Sequence, residues 1–200
     1  MPIAVGEWGY AEGTVGSQTA LAQVFVRQML LAMALTGQPA MWYKACDGPG
    51  ESGLRGNGVM VCPSSRNARI AFRPLPAFNA SQVMYRILRN DGATSDNHTA
   101  WRAPVDQKKG FRFARRVPVW QQSAGTDDDW LFVYHSDDGG VLLVAWTTAT
   151  FPHITRIPGV APGSCFSQTG MMGEVLPQLC HDHRGLHVNV SAAPVYLVRQ

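Results

Sequence analysis

PIAVGEWGYAEGTVGSQTALAQVFVRQMLLAMALTGQPAMWYKACDG, residues 2–48, decides how the first half of the chain reads. Ile3-Ala4-Val5 is a short apolar run that stops at Gly6-Glu7-Trp8-Gly9-Tyr10, the pattern of a buried strand ending at Glu7. From Ser17 onward, Leu21, Val24, Phe25, Gln28, Met29, Ala32 and Leu35 recur at helical spacing. Gly37 stands where a glycine would close that helix, and Pro39 follows it. Ala40-Met41-Trp42-Tyr43 is then a second buried strand. Strand, helix, strand predicts a parallel pair joined by a right-handed crossover.

Working outward, residues 47–68 read as loop, rich in Gly, Ser and Asn. A second helix is predicted from Pro76, with Ala77, Ala80, Met84, Ile87 and Leu88 on one face, ending at Asn90-Asp91-Gly92. The order is that of the tail of a βα-repeat architecture. Residues 98–200 change texture. Trp130–His135 and Val141–Trp146 are apolar runs separated by Ser136-Asp137-Asp138-Gly139-Gly140, a hairpin signal. Leu186, Val188 and Val190 alternate with His187 and Asn189, and Pro194 opens a last strand at Val195–Val198. Further strands are expected near 111–115, 154–157 and 173–176. The fold class expected is therefore mixed α/β and β. A βα segment over 1–92 is followed by an antiparallel β-sandwich over 93–200.

A net charge of +3 on 200 residues is too small to argue for nucleic acid. The amino-terminal residues lack the basic and apolar regions of a signal peptide, so none is expected. No run approaching 20 apolar residues was found that would span a membrane. Cys46, Cys62, Cys165 and Cys180 fit no metal spacing. They fall as two local pairs, open to two disulfides in an oxidising compartment or to free thiols.

Glu7 is the residue on which chemistry converges. It follows an apolar strand, lies between Gly6 and Gly9, and is flanked by Trp8 and Tyr10, with a helix next. A carboxylate at the C-terminal end of a parallel strand lies where barrel enzymes build their sites, and aromatic neighbours would tune its pKa and dock a sugar ring. The competing reading is a Glu that caps a loop or pairs with an Arg such as Arg55.

The stretches GEWGY, SQTALAQVFVRQMLLAMALTG, PAMWYKACDG and FRPLPAFNASQVMYRIL together resemble the end of the clan A (β/α)8-barrel retaining glycoside hydrolases, the cellulase-like superfamily. The terminal LHVNVSAAPVYLV resembles the last two strands of the β-sandwich appended to many of these barrels. The resemblance implies the last two βα units of a barrel, strand 7 to helix 8, in residues 1–92. It makes Glu7 nucleophile-like, Trp42 the subsite platform and Asp47 a hydroxyl-binding group, with Trp8 and Tyr10 beside the substrate. It implies a polysaccharide or glycoside as substrate and hydrolysis of O-glycosidic bonds, with no cofactor and no metal. Full-length relatives are often secreted.

One departure limits this. Retaining hydrolysis takes two carboxyl groups about 5–5.5 Å apart. The family's acid/base Glu follows an Asn, and the chain has no Asn-Glu dipeptide. The expectation is a C-terminal fragment, inactive alone, whose open flank is covered by the missing barrel portion or another chain. The alternative is a non-catalytic carbohydrate-associated or scaffolding β-sandwich protein. Neither nucleic acid nor membrane is expected as a partner.

Weaker motifs have plainer readings. Gly48-Pro49-Gly50-Glu51-Ser52-Gly53 matches GxGxxG, but no helix follows it and Pro49 lacks a donor. Cys180-His181-Asp182-His183 with His187 could suggest metal; Arg184-Gly185 interrupts it, and a solvated hairpin tip is favoured. Lys108, Lys109, Arg112, Arg115 and Arg116 interleave with Phe111 and Phe113, and Asp127-Asp128-Asp129 offers partners. A solvated strand face is favoured there over a site for an acidic polysaccharide. Asn79, Asn97 and Asn189 open glycosylation sequons, Asn97 in an expected loop.

Overall fold

The computed structural model describes residues 12–36, 46–47, 58, 60–61, 73–89, 110–118 and 127–200. The chain divides into two compact units, Met1–Val83 and Met84–Gln200. The expected strands at 3–5 and 40–43, and the helix stops at Gly37 and Asn90–Gly92, lie outside the described residues.

In the first unit, α1 (Glu12–Val15) leads into α2 (Gln18–Thr36). Ser17 caps α2: its Oγ accepts the Ala20 N–H at 3.1 Å, and its carbonyl accepts the Leu21 N–H. The turn into that cap needs Gly16, whose φ of +94° is costly for any residue with a Cβ. Leu21, Ala22, Phe25, Val26, Met29, Leu30 and Ala32 form the buried stripe. Leu35, expected on that stripe, is 78% exposed. By length and composition Gln18–Leu35 could cross a membrane, which corrects the expectation that no segment reaches that threshold. Its buried stripe is the pattern of a core helix.

Three two-residue strands follow: β1 (Cys46–Asp47), β2 (Met60–Val61) and β3 (Arg73–Pro74). β1 pairs in parallel with β2, and β2 antiparallel with β3. β2 falls inside the stretch read as loop, because two residues are too few to leave a periodic signature. The helix α3 (Pro76–Leu88) begins at Pro76, where a missing N–H costs nothing. It buries Ala77, Ala80, Met84 and Leu88, four of the five expected positions.

The second unit holds β4 (Arg112–Pro118), β5 (Asp129–His135), β6 (Val141–Thr147), β7 (His153–Ile157), β8 (Cys165–Thr169), β9 (Val175–Cys180), β10 (Leu186–Val190) and β11 (Val195–Arg199). Six of them form one antiparallel sheet in the order β4-β5-β6-β11-β8-β9, and β10 pairs with β7 in a second. Side chains from both sheets, among them Leu131, Leu143, Ile157, Phe166, Val188 and Leu197, form one apolar cluster. This cluster is the main stabilising element, at about 1.5–3 kcal/mol for each fully buried large aliphatic side chain.

The opposite face of the large sheet is aromatic. Phe113, Phe132 and Tyr134 meet edge to face, and Phe132 does the same with Trp146. Tyr134, Trp146 and Tyr196 are buried. Burial of β5 and β6 on both faces explains why 130–135 and 141–146 read as continuous apolar runs rather than alternating ones.

Candidate active site

Asp47 is the last residue of β1, in register with Val61 of β2. It therefore sits at the C-terminal end of a strand that has a parallel neighbour, the end at which α/β architectures place their ligands. Cys46 beside it is half-buried and disulfide-bonded. Glu7, Trp8, Tyr10 and Trp42 lie outside the described residues, as does the side chain of Asp47. None of the five expected site side chains is therefore among those described. The structure does supply the capped helix that follows the Glu7 segment and the helix that follows the Asp47 segment.

Among the described residues, the second unit holds an acid–imidazole pair that the sequence did not reveal. His153 Nε2 lies 2.9 Å from Oδ1 of Asp129, whose side chain is 1% exposed, and Nδ1 lies 3.2 Å from the Phe151 carbonyl. Both ring nitrogens therefore face acceptors. Only a doubly protonated ring donates to both. The hydrogen bond to Asp129 is the main cause that holds the His153 pKa above its ordinary value; partial burial opposes it. A ring with both nitrogens engaged has no free nitrogen to take a proton from a nucleophile, so the pair ties β5 to β7 and does not serve as a catalytic base.

Several other charged and aromatic groups among the described residues are also engaged. Asp128 accepts from the Thr148 hydroxyl, Asp129 meets His153, and Arg112 pairs at 3.5 Å with Asp137. The Arg116 guanidinium lies 3.8 Å over the Trp130 ring. Trp130 also stacks on Trp146, with an interplanar angle of 6°, and meets Phe132 edge to face. Lys108 and Lys109 lie outside the described residues.

No cluster of three or more metal-ligating side chains occurs among the described residues. His183 and His187 are exposed; His187 Nε2 lies 3.1 Å from the Arg184 carbonyl. Asp182, His183 and Arg184 are exposed in a tight turn closed by an antiparallel bridge between Asp182 and Gly185, and the turn carries the chain from β9 in the large sheet to β10 in the small one. Asp182 Oδ1 accepts the Arg184 N–H at 2.7 Å, and that bond is the first cause of the lowered Asp182 pKa.

No family model matches the sequence, and no curated protein matches it. Solved structures do. A family 39 glycoside hydrolase from Bacteroides cellulosilyticus WH2 aligns over 99% of this chain with a TM-score of 0.62 and 19% identity. The fold is shared with glycoside hydrolases. The catalytic domain of the GH30 xylanase C from Talaromyces cellulolyticus aligns over the whole chain, with a TM-score of 0.53 and 9% identity. A conserved exported protein from Bacteroides fragilis aligns over 96%, with a TM-score of 0.55 and 10% identity. This chain spans 34%, 41% and 38% of those three chains, respectively. A mixed α/β chain of this kind is what the sequence led us to expect.

Proposed function

We propose that this chain is the C-terminal part of a retaining glycoside hydrolase, contributing the nucleophile and part of the sugar subsite. The observation that carries the reading is the fold likeness to a family 39 glycoside hydrolase along 99% of the chain, although the chain spans only 34% of that protein. It is supported by Asp47 at a parallel strand's C-terminal end and by two helices where the resemblance needs them.

In this reading residues 1–92 are the last two βα units of a (β/α)8 barrel, and residues 93–200 are the appended β-sandwich. Glu7 attacks the anomeric carbon while a second carboxylic acid protonates the leaving oxygen; water then hydrolyses the glycosyl-enzyme. Trp42 underlies the sugar, Trp8 and Tyr10 line its edge, and Asp47 accepts a hydrogen bond from a sugar hydroxyl. The acid is supplied from outside this chain, which has no Asn-Glu dipeptide. The isolated chain therefore does not turn over glycosides.

The test is to produce the protein from its native gene beside the isolated chain and assay both on a panel of aryl glycosides. Turnover with retained anomeric configuration by the native-gene product only, abolished by Glu7→Gln without change in folding, is expected. Near-normal activity of Glu7→Gln rejects the nucleophile role. Sugar binding without turnover by either protein favours a carbohydrate-associated module instead.

A further inference from the structure

β9 is the outer strand of the large sheet, and β8 is its only partner among the described residues. None of its six side chains is buried, and Val175 at its start is 91% exposed. Leu176 and Leu179 only lean against the core. The strands on either side of it in sequence differ: Phe166 in β8 is 2% exposed, and Leu186, Val188 and Val190 in β10 are fully buried. Beyond its ladder and the contacts of Leu176 and Leu179, what holds β9 is covalent. Cys165 opens β8, Cys180 closes β9, the two are direct cross-strand partners, and they are disulfide-bonded. Cys180 is exposed. The bond sits where the chain leaves one sheet for the other, just before the Asp182–Gly185 turn.

From this placement we infer that the Cys165–Cys180 disulfide is a redox-sensitive clasp, which a small dithiol opens in the folded protein to release β9 while the core stays packed. One thiolate of the dithiol attacks the exposed Cys180 sulfur, forming a mixed disulfide and expelling the Cys165 thiolate, which takes up a proton. The second thiol closes on the first, freeing Cys180; the dithiol is oxidised to its cyclic disulfide and the cystine is reduced to two thiols. With the bond gone, a strand with one neighbour and no buried side chain has little to keep its amides protected. The inference is independent of any glycosidase role.

The experiment is dithiothreitol titration of the full chain under native conditions. Thiols are alkylated and mapped by mass spectrometry, near-UV circular dichroism reports the aromatic packing, and hydrogen exchange is followed by peptide. Expected are alkylation of Cys165 and Cys180 before any change in the near-UV signal, and exchange faster by about tenfold or more over 175–180 with 186–190 and 195–199 unaltered. The double variant Cys165→Ser/Cys180→Ser should match the reduced protein and ignore the dithiol. Alkylation only after the near-UV signal collapses overturns the inference, and so does alkylation with unchanged exchange in β9.

Discussion

The His153 imidazole reaches from the start of β7 to the buried carboxylate of Asp129 at the start of β5, 2.9 Å between Nε2 and Oδ1, across 24 residues of sequence. The pair joins the small sheet to the large one at the edge of the shared core, and its strength depends on the proton the ring carries.

The His153 pKa is raised in the folded chain, so folding takes up a proton there. Its contribution is complete below the ordinary histidine pKa of about 6.5 and is lost as the pH rises through the folded value. His153→Ala should lower unfolding free energy by about 1–3 kcal/mol at pH 5.5, since it strips a buried acceptor of its charged donor. Denaturant unfolding of both proteins at pH 5.5 and 9 should show the gap narrowing at the higher pH. An equal gap at both pH values would count against the charged pair.

Tyr134 and Tyr196 are buried on the aromatic face, and their hydroxyls have no hydrogen-bond partner among the described residues. Burial raises both phenol pKa values. Removing a buried, unpaired hydroxyl removes a desolvation cost, so Tyr134→Phe and Tyr196→Phe should be neutral or stabilising by up to about 1 kcal/mol. Thermal unfolding checks this, and a clear loss of stability would reveal a partner for the hydroxyl.

Gly185 has φ +116°, and a Cβ there would meet Nε of Arg156 at 2.5 Å. The side-chain tip can move, but the backbone strain remains. Gly185→Ala should cost about 1–3 kcal/mol. Gly163, with φ +78° and open space around its Cβ position, gives the comparison in which strain acts alone. Chemical denaturation of both variants separates strain from clash.

Leu197 is fully buried in the cluster beneath both sheets, whereas Ile154 on the outer face of β7 is 62% exposed. Leu197→Ala should cost about 2–5 kcal/mol, and Ile154→Ala about 0.5 kcal/mol or less. Comparable losses at the two sites would mean that Ile154 is covered in solution.

Strands that bury one face announce themselves: Leu186, Val188 and Val190 are buried and His187 and Asn189 exposed, as their alternation implies. The stop residues of the 136–140 hairpin and the buried face of α3 were equally legible, because turn chemistry and helical period are local. β8 was not. It carries only Cys165 and Phe166 as apolar residues, buries Gln168, and has a register shift after Phe166 that breaks its period. Nor did anything in the chain's order point to Asp129 and His153, whose meeting depends on how strands from two sheets line up. Of the candidate site, Glu7 and its aromatic neighbours rest on local pattern and resemblance. The structure adds the register of Asp47 and the two helices.

Covalent trapping tests the role of Glu7 most directly. A panel of 2-deoxy-2-fluoroglycosyl fluorides needs no acid to expel its leaving group, so it asks only whether Glu7 is the attacking carboxylate. Peptide mass spectrometry of the inactivated native-gene protein should place one glycosyl ester on Glu7, absent in Glu7→Gln. An ester on any other carboxylate, or inactivation that persists unchanged in Glu7→Gln, would contradict the assignment.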